Sequence, residues 1–239
     1  MGGTPPDRAR QAAAAVVDLN GGLDFKPSAT HLCGMNADHP TDVRPVLVFA
    51  THNPNKVREL QEMLGDRYQI QSLTDIGCHE EIVEDAPTLE GNAQIKARHV
   101  VEQYGLDCFA DDTGLEVDAL DGAPGVYSAR YAGTHGDAEG NMTKLLAELE
   151  RVGATTKEAR TAKFRTVICL IQQGKEHVIE GQCKGFIEPV KCGAEGFGYD
   201  PIFKPEDHNC TFAEMAPEDK NAISHRGRAV RAMIDYLTS

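Results

Sequence analysis

The chain has 239 residues, 41% of them hydrophobic and 26% charged, which is long enough to bury a sizeable core and far from the composition of disordered chains. A formal net charge of -13 excludes broad nucleic-acid binding, because such binding draws its affinity from Lys and Arg displacing phosphate counterions. No apolar run approaches the roughly 20 residues of a membrane span, so no membrane partner is expected, and any phosphate ligand has to meet a local basic cluster or a metal.

Residues 1–44 read as a poorly ordered N-terminal extension, in which Ala12 to Ala15, Gly2-Gly3, Gly21-Gly22 and several prolines interrupt any periodicity. Asp7, Asp18, Asp24, Asp38 and Asp42 argue against an organelle transit peptide, which is poor in acids. Seven cysteines, none at CxxC spacing, suit reduced thiols in a cytoplasmic protein. The folded region, 45–239, opens on the apolar run 46–50, a strand buried on both faces. Asn53-Pro54 then supplies a capping side chain and a proline at the first helical position, and Val57, Leu60, Met63 and Leu64 follow at helical spacing.

A second helix is predicted over 88–104, with Leu89, Ala93, Ala97, Val100 and Tyr104 on one stripe, followed by a short strand at 108–110. The stripe Met142, Leu145, Leu146, Leu149 and Val152 marks a third helix over 141–152. Runs 164–172 and 177–187 form a hairpin about Gln173-Gly174-Lys175-Glu176. Val230, Met233, Ile234 and Leu237 lie on a last helix, with Ser224 as its cap. Early alternation of strand and helix with a central hairpin predicts an α/β, or mixed α+β, fold around one twisted sheet.

Four segments place polar groups where the chain changes direction. In Thr51-His52-Asn53-Pro54-Asn55-Lys56, a helix N-terminus with its free N–H groups, joined by Lys56 and the Thr51 hydroxyl, makes a phosphate cradle; an ordinary strand-to-helix turn would look the same. Asp111-Asp112-Thr113-Gly114 reads as two acids leaving a strand end before a glycine turn. Such acids suit a hard cation or a base for water, and equally a self-capping turn. Glu84 is the third carboxylate in reach. The stretch 195–203 interleaves glycines with Phe197, Tyr199 and Phe203, which serves a stacked base or a core corner. Lys220 and the sequence Ser224-His225-Arg226 place cations in the first turn of a helix, against its dipole. The chain contains no GxxxxGK[ST], HExxH or GxSxG, and no cysteine-histidine zinc spacing.

Taken in order, Thr51, Asn53 and Lys56, the stretches 110–115 and 122–131, 196–201, and Ser224-His225-Arg226 resemble the inosine triphosphate pyrophosphatase family from about Val46 to the C-terminus. The resemblance implies an elongated, two-lobed fold with a cleft between the lobes, a homodimer, and magnesium-dependent cleavage of ITP, dITP and XTP to a monophosphate and pyrophosphate. It implies that 51–56 hold the triphosphate and that Lys96 reaches a phosphate. Glu84 and Asp112 would bind Mg2+, with Asp112 also activating water, Asp111 supporting that pair and Thr113 touching the ligand. Phe197 would stack on the base, with Gly198, Tyr199, Asp200, Lys220, His225 and Arg226 around it. A pyrophosphatase for pyrimidine or modified nucleotides, and a nucleotide-binding protein without turnover, are the alternatives. Asp85-Ala86 replaces the Thr-Gly common after the metal-binding glutamate, and Thr113 stands where serine is common.

Overall fold

The computed structural model describes residues 44–239; residues 1–43, nearly all of the extension read from the sequence, lie outside it. Strand β1 (Val46–Phe49) leads through the turn at 50–53 into helix α1 (Pro54–Leu64), where the Asn53 carboxamide oxygen accepts from the Lys56 backbone N–H at 3.4 Å. Strand β2 (Gln69–Ser72) returns parallel to β1. Helix α2 (Leu89–Tyr104) starts on the Thr88 hydroxyl, which caps Gly91 N–H, and stops at Gly105 in the left-handed conformation. Strand β3 (Cys108–Val117) lies parallel to β1 and antiparallel to both the two-residue strand β4 (Pro124–Gly125) and strand β5 (Thr161–Gln172).

Helix α3 (Ala138–Arg151) begins three residues before the predicted start, because Asp137 caps Gly140 N–H. Strands β5 (Thr161–Gln172) and β6 (Lys175–Ile187) turn on two residues, Gln173 and Gly174, both at positive φ. That is the two-residue hairpin whose twist matches the strands, tighter than the four-residue connection read from the sequence. Strand β7 (Phe203–Pro205) and helices α4 (Pro217–Ile223) and α5 (His225–Thr238) complete the chain. The sheet order is β2-β1-β3-β5-β6-β7, with β4 on β3, so the α/β reading stands as a mixed sheet.

Alternation along the strands sorts the core. Leu47 and Phe49 of β1 join Leu60 of α1 and Val230 and Met233 of α5 on one face, while Val48 and Ala50 join Leu89, Ala93, Ala97 and Val100 of α2 on the other. A third core gathers Leu145 and Leu149 of α3 with Leu115, Phe164, Phe203 and Phe212. Strand β5 feeds all three, through Phe164, Val167 and Ile168 in turn. It is the beam between the two flanked halves. Each fully buried Leu, Ile or Phe contributes roughly 1.5–3 kcal/mol. No helix among the described residues is long and apolar enough to cross a membrane.

Candidate active site

A gap in the sheet creates the cleft. Strand β1 pairs with β3 only at Val48↔Cys108 and Phe49↔Phe109, and β4 takes the same edge only from Leu115↔Gly125. Between them, no strand among the described residues pairs with that edge of β3, although β5 pairs with its other edge throughout. The opening lies at the carboxyl ends of the parallel strands, the usual place for a ligand in an open α/β sheet. A cavity of about 700 Å³ fills it, lined by residues from the turn after β1, α2, β3, 197–200 and the α4–α5 junction.

Here the structure corrects the sequence reading. Asp111, Asp112, Thr113 and Gly114 are strand interior, registered against Ile168, Val167, Thr166 and Arg165 of β5, and form no turn. Consecutive strand side chains leave on opposite faces, so Asp111 points toward α1 and α5 and Asp112 toward α2; both reach the cavity because the sheet edge is missing there. Gly114 is required by closeness rather than by a turn. A Cβ at this position would lie 2.6 Å from the Gly125 carbonyl oxygen.

On the first face Asp111, 5% exposed, accepts from Lys56 Nζ at 2.8 Å, and its other oxygen lies 3.5 Å from Arg226 Nε. Burial alone would raise its pKa; the cations Lys56, Arg226 and Lys96 reverse that and hold the carboxyl well below the usual range. Burial lowers the Lys56 ammonium, with Asp111 opposing. Thr113 shares a 2.7 Å hydroxyl hydrogen bond with Thr166.

On the second face Asp112 Oδ2 accepts from Asn92 Nδ2 at 3.1 Å and Oδ1 from Thr113 N–H at 2.9 Å. Burial raises its pKa, partly opposed by Lys96. Lys96 Nζ donates to Glu84 Oε2 at 2.6 Å. The loop carrying Asp85-Ala86 is tied down as well, since Ala86 N–H donates to Asn92 Oδ1 at 3.0 Å. Glu84, Asp111 and Asp112 therefore share a cavity without meeting at one point: Asp111 belongs to the Lys56 and Arg226 pair, and Glu84 and Asp112 flank Lys96.

The first turn is held by Thr51 Oγ1, which accepts from Asn53 N–H at 3.2 Å, and by His52, whose ring nitrogens contact Thr74 Oγ1 at 3.4 Å and the Glu80 carbonyl at 3.3 Å. Thr51, His52 and Asn53 line the cavity, and Pro54 and Asn55 occupy the first turn of α1.

At the far end Phe197 is 63% exposed, with Lys220 Nζ 4.9 Å and Arg226 Cζ 5.5 Å from its ring centre. Asp200 fixes this corner by accepting from Phe197 N–H and from Lys220 Nζ, each at 2.7 Å on Oδ2. Gly198 lines the cavity beside them. Tyr199 also lines the cavity, although it is almost wholly buried and donates to the Ser128 carbonyl at 2.9 Å, whereas Phe203 is core. Ser224 caps α5 through Gly227 N–H. His225 does not oppose the helix dipole: its ring stacks on Phe164 at 4.5 Å, and burial, with Arg226 and Lys220 nearby, lowers its pKa well below the ordinary value, so it is neutral. Its Nδ1 is buried without a hydrogen-bond partner among the described residues.

Asn92, Phe164 and Thr166 escaped the sequence reading. Asn92 carried a signal, a polar residue three positions after Leu89 and just before Ala93 on the apolar stripe, and it is 1% exposed. Nothing local marks the other two.

By fold and charge this is an α/β protein with a cleft at a sheet opening, lined by paired cations and carboxylates and closed by an exposed aromatic ring. Residues 47–236 match the model of the Ham1 family. The chain is 55% identical over 193 residues to the dITP/XTP pyrophosphatase of Flavobacterium johnsoniae, covering 81% of this chain and 98% of that one. It is 45% identical over 192 residues to the dITP/XTP pyrophosphatase of Bacillus subtilis, covering 80% and 96%. A solved HAM1 protein from Coxiella burnetii superposes with a TM-score of 0.76 at 39% identity, over 81% of this chain and 98% of that one. The chain belongs to the Ham1 family.

Proposed function

We propose that the protein hydrolyses the non-standard purine nucleoside triphosphates ITP, dITP and XTP to the monophosphate and pyrophosphate, with Mg2+ as cofactor. The observation that carries this reading is the pairing, within one cavity, of a cation group on Asp111 with an oriented, partly buried Asp112 on the opposite face of the same strand. The family relatives named for dITP and XTP support the choice of substrate.

The donor set suits a hard divalent cation. Glu84 and Asp112 offer only oxygens, Asp112 is oriented by Asn92 and Thr113, and a cationic group, the Lys96 ammonium, already sits against Glu84. When bound there, the ion would supply charge neutralisation on phosphate oxygens and a more acidic water. The chain does the rest. Lys56, held by Asp111, and Arg226 face charge growing on the departing pyrophosphate, and Lys96 turns from Glu84 to a phosphate oxygen. Asp112, its pKa raised by burial, accepts the proton of the attacking water.

Phe197 presents a face on which a base stacks, worth roughly 1–3 kcal/mol. Donors around it favour a 6-keto purine, since adenine offers an amino donor there. A homodimer and a cytoplasmic location belong to this reading, and sedimentation of the purified protein tests the first. The decisive panel offers ITP, XTP, ATP, GTP and dTTP with Mg2+ and identifies the products. IMP with pyrophosphate supports the reading. IDP with orthophosphate, or a preference for dTTP, overturns it.

A further inference from the structure

Outside the cleft, three side chains with metal-binding atoms meet at one point. Cys78 Sγ lies 3.9 Å from His99 Nε2, and Glu80 Oε1 lies 3.2 Å from the same nitrogen. These three are the only His, Cys, Asp or Glu side chains among the described residues whose ligand atoms all fall within 4.8 Å of one another. The spacing along the chain gave no zinc motif; Cys78 and His99 are brought together by the packing of the loop after β2 against α2.

The atoms suit a borderline-soft ion. A tetrahedral Zn2+ has S and N ligands at about 2.3 and 2.0–2.1 Å, which puts their mutual separation at roughly 3.6 Å and a nitrogen–oxygen edge at roughly 3.3 Å. The observed 3.9 and 3.2 Å lie near these values, and the sulfur–oxygen edge, within 4.8 Å, closes to roughly 3.6 Å on binding. Without an ion, one His99 Nε2–H can serve the Glu80 carboxylate while the Cys78 thiol bonds the Tyr104 hydroxyl. A cation would instead engage the sulfur, the nitrogen and the carboxylate together, with the Tyr104 hydroxyl left as an outer partner of the sulfur.

The scaffold is rigid where ligands must be fixed. Cys78 is wholly buried against Leu89, Ala93 and Val100, and its N–H donates to the Leu73 carbonyl at 2.9 Å. His99 stands on α2, while Glu80 is exposed and leaves a side open for water as a fourth ligand. The Glu80 carbonyl also contacts His52 of the first turn.

We propose that Cys78, Glu80 and His99 form a second metal site, distinct from the cleft, that takes one Zn2+ or similar borderline-soft divalent ion and clamps 78–80 to α2. On binding, the Cys78 thiol loses its proton to solvent and its sulfur, the neutral His99 Nε2 and the Glu80 carboxylate become the ligands.

The test is equilibrium dialysis of the full chain against ZnCl2 with Mg2+ in large excess, alongside thermal unfolding. One Zn2+ per chain is expected, and at about 100 times the dissociation constant the unfolding midpoint rises by roughly 5–10 °C. His99→Gln, at a partly buried position, and Glu80→Gln, at an exposed one, weaken binding by at least about 100-fold, more than loss of an outer-shell partner does. Cys78→Ser does the same, and if that variant fails to fold the other two decide. Glu84→Gln keeps the ion. Zinc that is not retained, or is retained equally by His99→Gln and Glu80→Gln, overturns the proposal, as does zinc lost only in Glu84→Gln. None of these readouts requires nucleotide hydrolysis.

Discussion

Asp111→Asn removes one negative charge from between two cations at almost no change in volume. At an effective dielectric of about 20, the gross attraction of a carboxylate is about 6 kcal/mol to an ammonium at the Lys56 distance of 2.8 Å and about 5 kcal/mol to a guanidinium at the Arg226 distance of 3.5 Å. Desolvation of the buried acid already offsets most of that. The variant loses the attraction and keeps two neighbouring cations unpaired, a change that typically costs about 3–5 kcal/mol. Lys56 keeps 27% of its side chain exposed and turns to water in the variant, so about 3 kcal/mol is expected. In urea, with a slope of about 2 kcal/mol per molar, the midpoint falls by roughly 1.5 M without a change of slope. The sign with pH follows from the depressed pKa of Asp111. Its contribution is complete above the unfolded value of about 3.9 and fades as pH falls below it, so wild type and variant converge in acid. A midpoint shift under about 0.5 M at pH 7 would refute the ion-pair account of this face.

His225 is held neutral by burial. Its depressed pKa stabilises fully above about pH 6.5, and each pH unit below that removes about 1.4 kcal/mol until the folded value is reached. His225→Phe keeps the stack on Phe164, and urea midpoints at pH 7 and 5.5 should fall less in the variant than in wild type. Gly181 lets α5 rest on β6, since a Cβ there would lie 2.2 Å from the His225 carbonyl oxygen and 2.4 Å from Ala229 N. Gly181→Ala should cost over about 2 kcal/mol by overpacking and displace His225 and Arg226, raising KM for ITP; unaltered stability and KM would contradict this. Phe197→Ala, at an exposed position, should leave the unfolding midpoint within about 0.5 kcal/mol of wild type while weakening nucleotide binding by about tenfold, read by calorimetry with IMP.

Periodic segments were legible because apolar spacing and burial coincide. The stripes of α2 and α3 are facts about local sequence, and so is the doubly buried β1. Strand β2 was not, because Gln69 and Gln71 alternate with Ile70 and Ser72 in a four-residue half-buried segment. Helix α4 spans seven residues without an apolar stripe, too short to announce itself. The acids 111 and 112 read as a turn because Asp and Gly disfavour strands. What keeps them extended is remote: pairing with β5, Lys56 from α1 and Arg226 from α5 for Asp111, Asn92 from α2 for Asp112. The same remoteness hid Cys78, Glu80 and His99, whose convergence depends on how one loop packs on one helix.

The central claim places the chemistry on the α2 face of β3, and Asp112→Asn tests it most directly. Its hydrogen bond from Asn92 reports on the site rather than the core, so the variant should fold with a midpoint near that of wild type. With ITP and Mg2+ the wild-type protein is expected to release pyrophosphate and IMP in equal amounts, and the folded variant neither. Undiminished pyrophosphate release from Asp112→Asn would contradict the account.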